Sequence, residues 1–518
     1  MNYSMTRREV GAIALGAFAP AVKGPAVGGL SLNEDNSHYF SSRGAKRITV
    51  ADLDQFIDQY AGTQVKELLF SVNSMRTSYA SKVWDPIWRG YVPDGPDDQP
   101  LFKSLAVESR AGARRWVHSA WHLAQEGIDI YARWIARSRA KGMSPWVSMR
   151  MNDVHNTDDP ACYIHSEFWR EHPEYRRVPY KFEGLTDRAF DYGRKEVRDY
   201  HMKLVVELAE RYDFDGLELD WMRFGYHFKP GREAEGAVLL TEFTAEVRRI
   251  LDSWGKRRGR RIQLSARVPS RPQSALALGM DGVEWARRGL VDSLVITPFW
   301  QTIESDMPVE TWKQLLRGTK VTLSAGLEVI VRPYNAFRPI QMNSLETVRG
   351  AAAAMLDRGA DRVYLFNYMD SDTAMEGIAD YPALLREIGQ LATLEGKPRR
   401  HIMTYADTWA PGEARAVPLP RDIPANGWSA FRLATGPKPG RLRTEVRLSF
   451  ESGSIKEVRL NGVLCRPRAK RELPKPRPNG DALIFEAPGE AVQRAANVVE
   501  VQASGAGKMH WVEIAFVG

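Results

Sequence analysis

The chain has 518 residues, 43% hydrophobic and 26% charged, which is the composition of a water-soluble globular protein with room for one large domain and a smaller one. Its formal charge of +8 is a mild excess and, without basic runs alternating with aromatics, argues little for nucleic acid, so no nucleic-acid partner is expected. Only two cysteines occur, Cys162 and Cys465, so no zinc spacing and no disulfide framework can be built, and free thiols are expected.

The N-terminal stretch "MTRREVGAIALGAFAPAVKG" has paired Arg7 and Arg8, a weakly apolar run from Val10 to Val22, and an "APA" ending at Ala21. It reads as a twin-arginine-type export signal with linker over residues 1–30, followed by a periplasmic or secreted protein. The apolar run is too short to span a bilayer, so no membrane anchor is expected.

From residue 45 to 395 short apolar strands alternate with amphipathic helices. The strands read as "ELLFSVNSMR" (67–76), "SPWVSMRMND" (144–153), "DGLELDW" (215–221) and "RIQLSARV" (261–268). They continue as "VDSLVITPFW" (291–300), "KVTLSAGLEVI" (320–330) and "DRVYLFNYMD" (361–370). Such alternation implies a parallel sheet. With an eighth strand expected between residues 76 and 144, the α/β fold class is a (β/α)8 TIM barrel. No Gly-rich phosphate loop follows the first strand, which weighs against a doubly wound sheet, and no cofactor is called for. Beyond residue 400 the texture becomes Pro/Gly turns and short alternating strands, read as an all-β sandwich over 400–518.

Barrel strands send every second side chain into the lumen. If Leu217 and Leu219 face the helices, Glu218, Asp220 and Met222 face inward. The same parity places Ser148, Arg150 and Asn152 inside, then Gln263, Ser265 and Arg267, then Thr322, Ser324, Gly326 and Glu328. Polar residues on one parity of four strands, with a charge at the C-terminal end where barrel active sites sit, make Asp220, Glu328 and Glu218 the candidate catalytic carboxyls. Arg150, Asp153, Trp221, Arg223, Arg267, Trp300, Tyr368 and Asp370 are the candidate substrate-binding residues. "NDVHNTDD" gathers Asp153, His155, Asp158 and Asp159 without spacing that demands a metal.

The motif "YDFDGLELDWMRF", with "FDYGRKEVRDYHMKLVVELAERY" and "WVSMRMNDVH…SEFWREHPEY" before it, resembles the glycosyl-hydrolase-like barrels related to family ten. The strand around Glu218 is also similar to the "DGxDxDxE" strand of family-eighteen chitinases, but Met222 stands where that family has its catalytic acid. The resemblance covers residues 50 to 390 and implies an exported enzyme acting on a polysaccharide, with an acid/base after strand four and a nucleophile on strand seven. In this sequence those places fall on Asp220, or Glu218, and on Glu328.

Paired carboxyls are what glycoside hydrolysis needs, one as acid for the leaving oxygen and one as base or nucleophile. A non-catalytic carbohydrate-binding barrel is the alternative, and a polysaccharide lyase using Tyr226, His227 or His155 is a third. Arg76, Arg150, Arg223, Arg267 and Arg332 fall near strand ends, which points to an acidic glycan. Two close carboxylates repel, so Asp220→Asn is expected to hold or raise stability.

Overall fold

The computed structural model describes residues 28–43, 47–371, 374–415 and 417–518. The twin-arginine-like signal, with Arg7, Arg8 and Ala21, lies outside the described residues. Eight strands form a closed parallel barrel: β1 (Leu30–Glu34), β2 (Val65–Ser71), β3 (Ser144–Arg150), β4 (Gly216–Asp220), β5 (Gln263–Pro269), β6 (Ser293–Thr297), β7 (Thr322–Leu327) and β8 (Arg362–Phe366). Each pairs with its sequence neighbour, and β1 pairs with β8 to close the ring.

Seven strands overlap the stretches read from sequence, with β2 starting two residues earlier and β5 ending one residue later than read. The eighth is β1, ahead of all of them and of residue 45, and not between 76 and 144. That interval holds the helices Val107–Gln125 and Ile130–Ala140 with turns before them. β1 is only "LSLNE", whose Ser31 and Asn33 weaken its apolar signal.

Each strand is followed by at least one helix: α1 (Val50–Asp58), α2 (Ile130–Ala140), α3 (Lys195–Arg211), α4 (Glu233–Arg258), α5 (Gly282–Arg287), α6 (Val309–Leu315), α7 (Leu345–Asp357) and α8 (Tyr381–Glu387). Where the sequence supplies Thr49 with Asp52, or Ser344 with Thr347, a reciprocal capping box starts the helix. The buried apolar stripes of these helices meet the outward residues of the strands, Leu217, Leu219, Leu264, Ala266, Leu323 and Ala325 among them, in one continuous core.

The C-terminal region is two antiparallel sheets packed face to face. One runs Arg399–Ile402, Gly507–Val517, Arg443–Glu451, Ala482–Ala487, Arg466–Arg471, with Arg421–Ile423 also paired to Gly507–Val517. The other runs Trp428–Gly436, Ala495–Ala503, Ile455–Leu460, Val463–Leu464. Val446, Leu448, Val458, Val499, Val512 and Ile514 fill the space between them. The strands Arg399–Ile402 and Trp428–Gly436 lie on α7, so the sandwich docks on the barrel wall. Under that contact Glu513 is buried and accepts bonds from Arg400 (2.7 and 2.9 Å), Arg447 (2.8 Å) and Trp511 Nε1 (3.0 Å). Burial opposes the charge, yet the two guanidiniums pull its carboxyl down to about 2.

Cys162 and Cys465 are buried and unbridged. Among the described residues no helix is long and apolar enough to cross a membrane.

Candidate active site

The inward parity is visible in the register: Ser148 pairs with Glu218 and Arg150 with Asp220, while across the next ladder Glu218 pairs with Ser265 and Asp220 with Arg267. Leu69, Trp146, Val295, Tyr364 and Phe366 form an apolar cluster inside the barrel, with Leu69 and Trp146 one step below Ser148 and Glu218. Gly216 makes the cluster fit, since a Cβ there would lie 2.3 Å from the Trp146 ring. Trp146 therefore fills the bottom of the lumen and leaves the polar chemistry to the C-terminal end.

Glu218 and Asp220 lie on one face of β4 but in different electrostatic settings. Glu218 Oε1 accepts from Ser148 Oγ and Tyr364 OH, both at 2.8 Å, while Oε2 has no partner. Burial, and then the negative charge of Asp220, push its carboxyl up to about 7. Asp220 is bonded on both oxygens. Oδ2 accepts from Arg267 Nη1 at 2.7 Å, and Oδ1 accepts from the backbone amides of Met222 (3.1 Å) and Arg223 (3.0 Å). Two backbone amides and a buried guanidinium thus occupy its oxygens.

Those amide bonds end the strand. Residues 221–224 form a turn closed by Phe224 at φ +69°, a conformation costly for an aromatic residue. Strand parity stops at Asp220, so Met222 does not continue the inward row. Trp221, expected to meet substrate, is turned away and buried against Tyr192, His227 and Phe243.

Glu328 follows β7 directly. It is fully buried, and among the described residues neither carboxyl oxygen has a side-chain partner, with only the Val329 backbone amide close enough to favour its charge. Burial pushes it up to about 8 against the opposing fields of Arg267 and Arg223, and the charge of Asp407 adds to the rise. Its backbone carbonyl is fixed by Tyr368 OH (2.8 Å) and Asn343 Nδ2 (2.7 Å). Tyr368, expected as a sugar platform, is thus a buried strut. Trp300 stands 44% exposed on the rim.

The arginines sort in the same way. Arg150 donates to Asp35 and to Asp153 Oδ2 (3.0 Å). Against burial, Arg150 holds Asp35 well below the usual carboxylate range, and His155 with Arg150 does the same for Asp153. Arg223 Nη2 lies 2.8 Å from His155 Nε2, and His155 Nδ1 lies 2.7 Å from Asp153 Oδ1. A guanidinium can only donate, so His155 accepts at Nε2 and donates from Nδ1 to Asp153. Arg267 stacks 3.8 Å over Phe366, and its Nε and Nη2, like Arg223 Nε, have no acceptor. Arg76 and Arg332 instead donate to backbone carbonyls of His165, Arg89, Gln301 and Asn335. Asp370 is held by Arg43 and Gln59 beside a separate cavity of about 300 Å³.

The lyase candidates are engaged. His227 Nε2 lies 2.9 Å from the Trp221 carbonyl, burial pushes its imidazole down to about 3, and Tyr226 OH donates to the Trp409 carbonyl. Asn152 bonds the Phe190 and Tyr226 carbonyls and pins two loops rather than facing the lumen. Asp158 and Asp159 do not join Asp153 and His155, and among the described residues no three metal-ligating side chains converge.

Sequence reading missed Asp35, Tyr364 and Asp407. Tyr364 shares the parity of Phe366 and could have been placed. Asp407 lies in the segment leading into the sandwich and accepts from the amides of Phe299 (2.8 Å), Trp300 (2.9 Å) and Gln301 (2.8 Å), so it holds the loop after β6.

No family model and no curated protein matches the chain. Solved structures resemble it only distantly. An α-L-fucosidase (isoenzyme 2) from Paenibacillus thiaminolyticus is 11% identical over 69% of this chain and 48% of its own, at a TM-score of 0.39. A chitinase of Paenibacillus sp. str. FPU-7 is 10% identical over 94% and 54%, at 0.38. A cycloisomaltooligosaccharide glucanotransferase of Paenibacillus sp. is 8% identical over 94% and 57%, at 0.35. The chain spans about half the length of these proteins. Likenesses of this score carry no argument about activity, which falls to the geometry of the site.

Proposed function

We propose that the chain is a glycoside hydrolase that cleaves O-glycosidic bonds of a polysaccharide or oligosaccharide, with Glu328 as the acid and Asp220 as its partner, the reverse of the roles that the family resemblance implies. The observation that carries this reading is the state of Glu328. A carboxyl at about 8 holds its proton at neutral pH, and no group among the described residues accepts that proton. The leaving oxygen of a bound glycoside is an acceptor of the required kind. Asp220, paired with Arg267 at 2.7 Å, suits the complementary task at the anomeric carbon, as nucleophile or as base for water. Glu218, one layer deeper, is the third carboxyl of the group and couples to Asp220 through its charge.

The free donors of Arg267 and Arg223 support an acidic glycan, since a uronate or sulfate group would satisfy them. Paired Arg7 and Arg8 ahead of an apolar run support export, which makes the glycan extracytoplasmic.

The test is release of reducing ends from a panel of neutral and acidic polysaccharides, by the full chain and by Glu328→Gln. Turnover of at least one acidic member is expected, falling by about 10²–10⁴ in the variant while it stays folded. Binding without new reducing ends would instead mark a non-catalytic barrel, and an ultraviolet-absorbing unsaturated product would mark a lyase. Full activity in Glu328→Gln would remove Glu328 from the chemistry.

A further inference from the structure

A cavity of about 660 Å³ opens at the seam between barrel and sandwich, away from Glu328. Both units build it: Tyr334 and Phe337 come from the segment after β7, and the rest from sandwich strands and turns. Phe450 and Phe485 contribute half-buried rings.

The position of Phe450 is set by the backbone. A bulge between Ser449 and Phe450 breaks the ladder to Gly507–Val517, and the ring then lies against two glycines. A Cβ at Gly507 would be 2.5 Å from it, and one at Gly453 would be 2.7 Å away. Tyr334 is fixed from the other side by a chain in which its OH lies 2.9 Å from His510 Nδ1, and His510 Nε2 lies 2.8 Å from Glu451.

Polar groups complete the lining. Lys470 and Asp481 are exposed on its wall, and neither has a hydrogen-bond or ion-pair partner among the described residues. Asn479 donates to the Arg338 carbonyl at 3.1 Å, which ties this wall to the barrel segment.

From this we infer that the seam cavity is a second, non-catalytic saccharide-binding site. A sugar ring has an apolar C–H face and a rim of hydroxyls that both donate and accept. The aromatic faces of Phe450, Phe485 and Tyr334 cover the first, and the free Lys470 donor and Asp481 acceptor meet the second. The volume falls in the range of small-ligand sites. A site made by two units fixes the sandwich on the barrel while it holds a glycan chain apart from Glu328 and Asp220.

The experiment uses full-length Glu328→Gln, so that nothing depends on turnover, in affinity electrophoresis through laminarin, dextran, polygalacturonate and chondroitin sulfate. At least one should retard the protein. Lys470→Ala/Asp481→Ala, at exposed unpartnered positions, should weaken that retardation at least tenfold with an unchanged melting temperature, and Phe450→Ala should abolish it. Retardation by none of the four, or retardation that the double variant leaves intact, would overturn the inference.

Discussion

Replacing Glu328 by Gln removes one ionisable group and little else, because among the described residues neither of its oxygens bonds a side chain. In the folded protein the carboxyl titrates at about 8, against an ordinary value of 4.5. Between those values the unfolded chain is ionised at this position and the folded protein is not. The folded state therefore holds the extra proton, and the wild type loses stability as pH rises from about 4.5 until it passes about 8. At about 1.4 kcal/mol per unit, that loss amounts to about 1 kcal/mol by pH 5 and about 4 kcal/mol by pH 8. The buried amide of Gln brings a cost of its own, about 1–3 kcal/mol for an unpaired donor, but that cost does not change with pH. Glu218 titrates in both proteins and largely cancels. Urea unfolding at pH 5, 6.5 and 8 should thus find the stability difference moving by about 3–4 kcal/mol in favour of Glu328→Gln across that interval. Parallel curves for the two proteins would mean that Glu328 reaches water or a partner when folded, and the case for a stored proton would fail.

Asp220→Asn should behave in the opposite way. It leaves a buried Arg267 without its anion and should cost about 3–5 kcal/mol, seen as a sharp fall in melting temperature, rather than holding or raising stability as charge repulsion alone predicts. Asp407→Ala frees three backbone amides of the 299–301 loop and removes a negative charge that raises Glu328. Its alkaline activity limb should move to lower pH, with KM raised more than kcat is lowered, whereas an unchanged pH profile would confine Asp407 to loop support.

Parity was readable wherever a strand ran regularly between the lumen and the helices. Glu218, Asp220, Arg150, Arg267 and Ser148 could be placed because Leu217, Leu219, Val147 and Met149 had to face the other way. The same reasoning failed one residue past the strand. Once Asp220 Oδ1 accepts the amides of residues 222 and 223, the chain turns and Met222 leaves the inward row, while Trp221 stays on the outward side with Leu217 and Leu219. β1 was hidden by its own composition, since five residues carrying Ser31, Asn33 and Glu34 offer no apolar run, and with it Asp35 was lost. Asp407 could not be read at all. Nothing local in "TYADTW" pairs it with amides more than a hundred residues earlier, and that contact exists only because the sandwich docks on α7.

The sequence treats Asp220 and Glu328 alike, as carboxyls at strand ends, and their difference comes from where the arginines go. Arg150 lies between Asp35 and Asp153, and Arg267 binds Asp220 at 2.7 Å, so three anions are already bonded within the ring. A negative charge on Glu328 would meet only the fields of Arg267 and Arg223, without a bond to either, inside a wall that excludes water. Its neutral state is the consequence. An acidic substrate group that took the free Nε and Nη2 of Arg267 would weaken the fields that now favour ionisation of Glu328, and would raise its proton affinity further. The donors that select an anionic glycan would then also keep the acid protonated while that glycan is bound, so recognition and protonation at this site are coupled through one guanidinium.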